Sequence, residues 1–203
     1  MIRVGRVVPK TRAEGPGLRF AMWVQGCRMG CPGCYARALW DESGGMETDE
    51  DALLEELRKV SGEVEGVTLL GGEPFLQAGA LARFAGAARE MGLSVLTFTG
   101  YWYEDLLRGG DREALALLAA TDLLIDGPYL QEQRDFSRSL AGSRNQQFRF
   151  LTERYSPADL ERCRNRVEVR LGKDGVLRVN GMGDFGALEA ILKGESKDGG
   201  FAI

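Results

Sequence analysis

The sequence predicts an α/β fold: a parallel sheet with helices packed outside it, bent into a partial, open βα barrel and followed by a β-hairpin and a short helix. Three observations predict it. Between Val67 and Ile125, short apolar β-branched runs alternate with segments of helical periodicity, and parallel neighbours need crossover connections of that kind. The strands are four or five residues long and nearly continuous in apolar character, as expected of a sheet covered on both faces. After about residue 155 the pattern changes to alternation around Lys173-Asp174-Gly175, a hairpin signal.

Taken in order, Ile2 to Val8 and Arg19 to Val24 are rich in β-branched and aromatic residues and read as strands, with Gly15-Pro16-Gly17 as the turn between them. Thr48 with its acidic neighbours reads as the cap of a helix over Asp51 to Val60, where leucines at 53, 54 and 57 recur at helical spacing. Then come a strand at Val67 to Leu70, an Ala-rich helix at Ala78 to Met91 and a strand at Ser94 to Phe98. A broken helix over Tyr103 to Ala120 and a strand at Asp122 to Ile125 follow. Gly127 to Gln147 is polar and reads as a long functional loop before a strand at Phe148 to Leu151. The hairpin pairs Val167 to Leu171 with Val176 to Val179, and Ala187 to Leu192 closes as a short helix. Residues 1–203 read as one domain, with a core at about 15–152 and an extension at about 153–203.

A chain of 203 residues with 44% apolar and 28% charged residues has the balance of an ordinary globular domain. A net charge of −4 gives no reason to expect nucleic acid as a partner. The opening Met1 to Pro9 lacks the apolar centre of a secretory signal, and no apolar run approaches the roughly 18 residues of a membrane span. The expectation is a cytoplasmic protein with no membrane partner.

The chemistry concentrates in Gly26-Cys27-Arg28-Met29-Gly30-Cys31-Pro32-Gly33-Cys34-Tyr35, directly after a strand. Three cysteines within eight residues point to metal rather than disulfides. A 4Fe-4S cluster held by Cys27, Cys31 and Cys34 leaves one iron without a protein ligand, a position where a small molecule can bind; full ligation suits electron transfer instead. The loop glycines permit sharp backbone turns around one cluster, and Pro32 limits the loop's freedom. The alternative is a closed zinc site, which prefers four ligands. With no histidine in the chain, the fourth would have to be Cys163, otherwise an ordinary, partly buried thiol.

The cysteine run followed some forty residues later by Gly71-Gly72-Glu73-Pro74 resembles the radical S-adenosylmethionine superfamily. Further pieces narrow the resemblance to activating proteins of anaerobic (class III) ribonucleotide reductases, which are glycyl-radical enzyme activases. These are Gly15-Pro16-Gly17-Leu18-Arg19, Gln25-Gly26-Cys27, Trp40, Thr99-Gly100-Tyr101, Asp126-Gly127 and Gly142-Ser143-Arg144-Asn145-Gln146. The resemblance covers about residues 15 to 147 and implies the open barrel of that superfamily. It implies an enzyme whose cluster reductively cleaves S-adenosylmethionine to a 5′-deoxyadenosyl radical, which takes hydrogen from a glycine of a large partner enzyme. A flavodoxin or ferredoxin is the implied electron donor.

The resemblance also implies roles. Cys27, Cys31 and Cys34 hold the cluster. Gly71 and Gly72, at a strand end where ligands gather above a parallel sheet, let the backbone approach the methionine moiety, Glu73 accepts from its ammonium, and Pro74 completes the turn. Gly33 and Tyr35 border the cluster, Tyr35 offering an aromatic face to the adenine, while Thr99 and Asp126 are candidates for ribose or methionine contacts. Ser143, Asn145 and Gln146 shape the pocket or its partner-facing rim. Two positions depart from the family pattern: Ala141 stands where arginine is usual and Ala36 where asparagine is usual. The extension after about residue 155 exceeds the family's short members. Two other classes remain open: a stand-alone radical enzyme acting on a small molecule or peptide, and a non-enzymatic zinc or electron-transfer module.

Overall fold

The computed structural model describes residues 1–192. The chain opens with an antiparallel pair, β1 (Ile2–Thr11) and β2 (Arg19–Val24), and a short edge strand β3 (Met46–Thr48) pairs with β1. Next come α1 (Glu50–Arg58), β4 (Gly66–Gly71), α2 (Ala78–Glu90), β5 (Ser94–Phe98), α3 (Tyr103–Gly109), α4 (Arg112–Ala120), β6 (Leu123–Asp126) and β7 (Gln147–Phe150). The chain continues through α5 (Pro157–Arg162), a separate hairpin β8 (Val167–Leu171) and β9 (Leu177–Gly181), and α6 (Phe185–Leu192).

The main sheet has the order β3-β1-β2-β4-β5-β6-β7. Its centre, β2-β4-β5-β6, is parallel, and both flanks are antiparallel. The expected parallel sheet is therefore the middle of a mixed one. The short β3 carries no alternating apolar pattern that could have announced it. Thr48 belongs to β3, so the expected cap of the first helix moves one residue on: the Asp49 side chain accepts from the Asp51 amide. The break in the helical segment after β5 falls at Gly110, left-handed at φ 63°, after which Asp111 caps α4. A further helix not foreseen, α5, starts at Ser156 in a capping box with Asp159.

Side chains alternate across the sheet and separate two cores. On one face Phe20, Met22, Val67, Leu69 and Val95 pack under α1, α2 and α4, with Phe84 of α2 6.3 Å from Phe20 between ring centroids. On the other face Leu96, Leu123 and Ile125 meet Leu140 and Tyr155. This second face also holds a fully buried arginine. Arg19 donates to Thr68 Oγ1 (3.0 Å), Ser94 Oγ (2.7 Å), Tyr155 OH (2.6 Å) and the Val67 carbonyl (2.5 Å). Its charge is answered through Tyr155, whose hydroxyl reaches Glu65 at 3.0 Å. Burial pushes the guanidinium below its ordinary range, and the fork of donors bridges β2, β4, β5 and the segment after β7.

Removing that fork should leave several buried acceptors unpaired. Arg19→Leu is expected to cost about 3–5 kcal/mol, and Arg19→Lys to recover less than half of it because an ammonium cannot span the same acceptors. Urea unfolding of the reduced protein measures this; a loss below about 1 kcal/mol, the scale of one ordinary hydrogen bond, would contradict it.

Candidate active site

The parallel strands end on one side of the sheet, and the groups singled out by sequence gather there. The hydrogen bonding of β2 to β4 does not stop with the strands. Past the last strand pair, the Gly72 amide donates to the Val24 carbonyl and the Glu73 amide to the Gly26 carbonyl, each at 2.8 Å. This ties the start of the cysteine loop to the Gly-Gly-Glu turn. A Cβ on Gly71, at φ 111°, would meet the Trp23 backbone at 2.7 Å, and one on Gly72 would strike the Gly26 carbonyl. The two glycines thus permit contact between turn and cysteine loop, a tighter constraint than the ligand approach expected of them.

The far side of the loop is anchored as firmly. Gly26 and Cys27 donate to the carbonyls of Leu39 (2.8 Å) and Trp40 (3.1 Å), and Gln25 Nε2 holds the carbonyls of Ala38 (3.2 Å) and Asp41 (2.7 Å). The three cysteines line one cavity of about 150 Å3 together with Glu73, Thr99 and Trp40. Burial pushes the Cys27 and Cys31 thiols upward, so iron, rather than the protein alone, would have to draw off those protons.

Glu73 is the electrostatic centre of the cavity. It is 1% exposed and accepts from Thr99 Oγ1 (2.8 Å), the Gly100 amide (2.7 Å) and the Phe75 amide (2.9 Å). Burial outweighs those donors and pushes its carboxyl up to about 7. No arginine or lysine among the described residues forms an ion pair with it, so this is a buried acid facing a cavity without a cation. Pro74 starts the short helical turn behind Glu73 and is itself buried.

The remaining expectations divide. Thr99 lines the cavity and orients Glu73. Gly33, at φ 74°, abuts the Gln131 side chain. Tyr35, 53% exposed, stands edge-on to Phe185 of α6 at 5.0 Å and lines a neighbouring chamber. Asp126 is fully buried outside both linings, and its carboxylate accepts from Arg149 Nε and the Tyr103 amide, both at 3.0 Å. In the polar loop, Gln146 lines the cavity and accepts from the Gly142 amide, while Ser143 holds the Leu130 amide. Asn145 donates to the Pro128 carbonyl and leaves Oδ1 a buried acceptor without a donor among the described residues. Sequence reasoning passed over Met29, Phe98 and Tyr129 as lining residues, because an apolar side chain beside a motif carries no chemical signature of its own.

Cys163 lies with Gly15, Gly17 and Glu65 at the opposite end of the sheet, a six-residue strand of about 20 Å away. It cannot be the fourth ligand of a closed zinc site. Among the described residues no three acidic or thiol groups converge tightly enough for a single ion. Three thiols around one cavity fit a cluster better, since each would take a different iron.

A family model described as 4Fe-4S single cluster domain matches residues 13–149. The anaerobic ribonucleoside-triphosphate reductase-activating protein of Haemophilus influenzae is 32% identical over 145 residues, covering 68% of this chain and 91% of the relative. That of Vibrio cholerae is 32% identical over 140 residues (66% and 88%), and that of Escherichia coli K12 27% identical over 145 (68% and 92%). The solved structure of QueE from Escherichia coli overlaps with a TM-score of 0.41 and 18% identity over 49% of this chain and 52% of that one.

Two buried carboxyls make stability depend on pH. Glu73 and Glu14 are both pushed by burial from 4.5 to about 7. The folded state therefore holds more protons than the unfolded state between those values. Their contribution is complete below about pH 4.5 and is lost as pH rises through 7, on the order of 3 kcal/mol per group. Urea midpoints of the cluster-free protein should fall between pH 5 and 8, and Glu73→Gln should make that fall shallower. An unchanged slope in the variant would be the contrary result.

Proposed function

The chain belongs to the 4Fe-4S single cluster domain family and groups with the anaerobic ribonucleoside-triphosphate reductase-activating proteins, and on that premise we propose that it is a radical S-adenosylmethionine activase that installs a glycyl radical on an anaerobic ribonucleoside-triphosphate reductase. The observation that carries this reading is the pairing of three cysteines with an unpaired buried carboxylate in one cavity. In this reading Cys27, Cys31 and Cys34 are the ligands of the 4Fe-4S cluster. With cluster and S-adenosylmethionine bound, one-electron reduction supplies methionine and the 5′-deoxyadenosyl radical that abstracts hydrogen.

The protein's own contribution is position and charge. Glu73 accepts from the ammonium of the methionine moiety; an arriving cation offsets the desolvation that raises its pKa and returns it to the carboxylate form. Thr99 and the Gly100 amide fix the carboxylate before ligand arrives, so little reorganisation accompanies binding. Gly71 and Gly72 hold the cysteine loop against that acid, and Trp40, Phe98 and Tyr129 narrow the space around the cofactor. Gly33 and Tyr35 border the cluster. Asp126, through Arg149 and the Tyr103 amide, positions the loop from Gly127 rather than touching the cofactor.

The sheet is read as the wall of an open, partial barrel, and residues 1–203 as one unit. Low-potential reduction by a flavodoxin or ferredoxin, and residence in the reducing cytoplasm, complete the proposal. Among the described residues no helix is long and apolar enough to cross a membrane.

The test is anaerobic reconstitution with iron and sulfide, reduction with dithionite, and assay of S-adenosylmethionine for 5′-deoxyadenosine, followed by electron paramagnetic resonance of the added reductase. Wild type should release 5′-deoxyadenosine and raise a glycyl signal, and Cys31→Ala should do neither. Glu73→Ala should reduce S-adenosylmethionine affinity at least about tenfold, the worth of one charge-assisted hydrogen bond. A fully reconstituted cluster that releases no 5′-deoxyadenosine would overturn the reading.

A further inference from the structure

The cofactor cavity opens into a second, larger chamber of about 500 Å3, with which it shares Cys34, Gly71, Phe98, Tyr129 and Gln146. One wall is the helix-free face of the sheet, where Trp23, Leu70 and Phe98 present apolar side chains. The facing wall comes from the C-terminal segment, through Val179 and Gly181 of β9, Met182 after it, and Phe185 of α6. That segment lies beyond residue 149, where the family match ends. β9 and α6 thus form one side of the approach to the cysteine cavity through this chamber.

The way the segment is held matters. A row of polar contacts ties it to the body. Glu168 of β8 accepts from Thr11 Oγ1 (2.8 Å) and the Arg12 amide (2.7 Å), Arg6 donates to the Val179 carbonyl (2.8 Å), and Asn180 Nδ2 donates to Thr11 (3.0 Å) and Glu14 (2.9 Å). Arg134 pairs with Asp184 at 2.9 Å, and Phe185 rests edge-on against Tyr35, next to Cys34. Val169, Leu171, Val176 and Leu177 of the hairpin segment remain in solvent, so the hairpin buries little apolar surface of its own. A two-stranded hairpin has marginal stability alone, and polar interfaces with few apolar contacts separate at low cost.

We propose that the hairpin β8–β9 with α6 is a displaceable cover over the chamber, closed in the free protein and moved aside when a glycine-bearing segment of the partner reductase reaches in. The proposal rests on the activase reading and adds to it a gate on the substrate side. In the closed position the cover narrows access to the face where hydrogen abstraction would occur. Its edge contact on Tyr35 ties its position to the cysteine loop.

Hydrogen–deuterium exchange of the free protein tests the gate without any partner. Amides of 167–171 and 177–182 should exchange together, about a hundredfold faster than those of β2, β4 and β5, and the Arg12 amide should open in step with them because Glu168 is its acceptor. Glu168→Ala, which removes two hydrogen bonds at the latch, should speed that opening about tenfold and leave the parallel strands unchanged. If the hairpin exchanges only as slowly as the parallel strands, it is a fixed wall and the proposal fails. In the second arm, Glu168→Ala should lower the KM for the reductase in glycyl-radical formation several-fold, while the 5′-deoxyadenosine released without reductase stays constant. A raised KM would make the hairpin a docking surface and overturn the gate. Should 5′-deoxyadenosine form but no variant produce a glycyl radical, the activase reading fails, and the exchange result still decides the cover.

Discussion

The structure depends on how closely the ends of β2 and β4 can approach. Two amides beyond the last strand pair, those of Gly72 and Glu73, continue the ladder onto Val24 and Gly26, and only glycine at 71 and 72 leaves room for it. That short continuation converts sheet register into site geometry. It fixes where the cysteine loop starts, where the buried acid stands, and therefore how the three thiols and the acid face one cavity. Loops are usually the variable part of an α/β protein, whereas here the loop carrying the thiols inherits the rigidity of the most buried strands.

Two buried charges on the same sheet are treated in opposite ways. Arg19, near the start of β2, is satisfied wholly within the protein by two side-chain hydroxyls from β4 and β5, Tyr155 and a carbonyl. Glu73, just beyond the end of β4, has hydrogen-bond donors but no counter-ion among the described residues. A protein gains nothing in stability from an isolated buried carboxylate, since its desolvation has to be offset elsewhere. The arrangement makes sense for a site whose missing charge arrives with the ligand. The Gly-Pro-Gly-Leu-Arg and Gly-Gly-Glu-Pro pieces, which look alike as short motifs, are thus a structural pin and a buried acid without a counter-ion among the described residues.

Much of this was legible in the sequence because its signals are local. The three cysteines, the strands at Arg19–Val24 and Ser94–Phe98, and the hairpin around Asp174 each announce themselves through spacing, β-branched runs or turn residues. What could not be read locally depends on partners distant in the chain. Asp126 stands at a strand end, and the hydrogen bond it accepts from Arg149 of β7 has no local signal in the sequence. Gly71 and Gly72 line the cavity, and the second demand on them, room for Trp23 and Gly26, is not visible in the local sequence. β3 has only three residues and exists because the edge of β1 offers it hydrogen bonds. The antiparallel flanks likewise follow from pairing, not from residue type.

The extension shows how a fold can add control without altering its chemistry. Its described residues do not line the cysteine cavity, yet through Val179, Met182 and Phe185 they form one side of the chamber into which that cavity opens. Had the added segment been packed by a continuous apolar face, it would have become a second layer of core, and the chamber would be permanently walled. Instead, its hold on the end of β1 and the residues after it is a row of hydrogen bonds to Thr11, Arg12 and Glu14, groups that water can satisfy equally when the segment leaves. Exchange of protein partners for water at such an interface changes the free energy little in either direction, which is the condition for an element that a binding partner can shift. The chemistry of the latch therefore favours a cover that a partner of modest affinity can open, while the parallel sheet beneath it stays fixed by Arg19 and its buried acceptors.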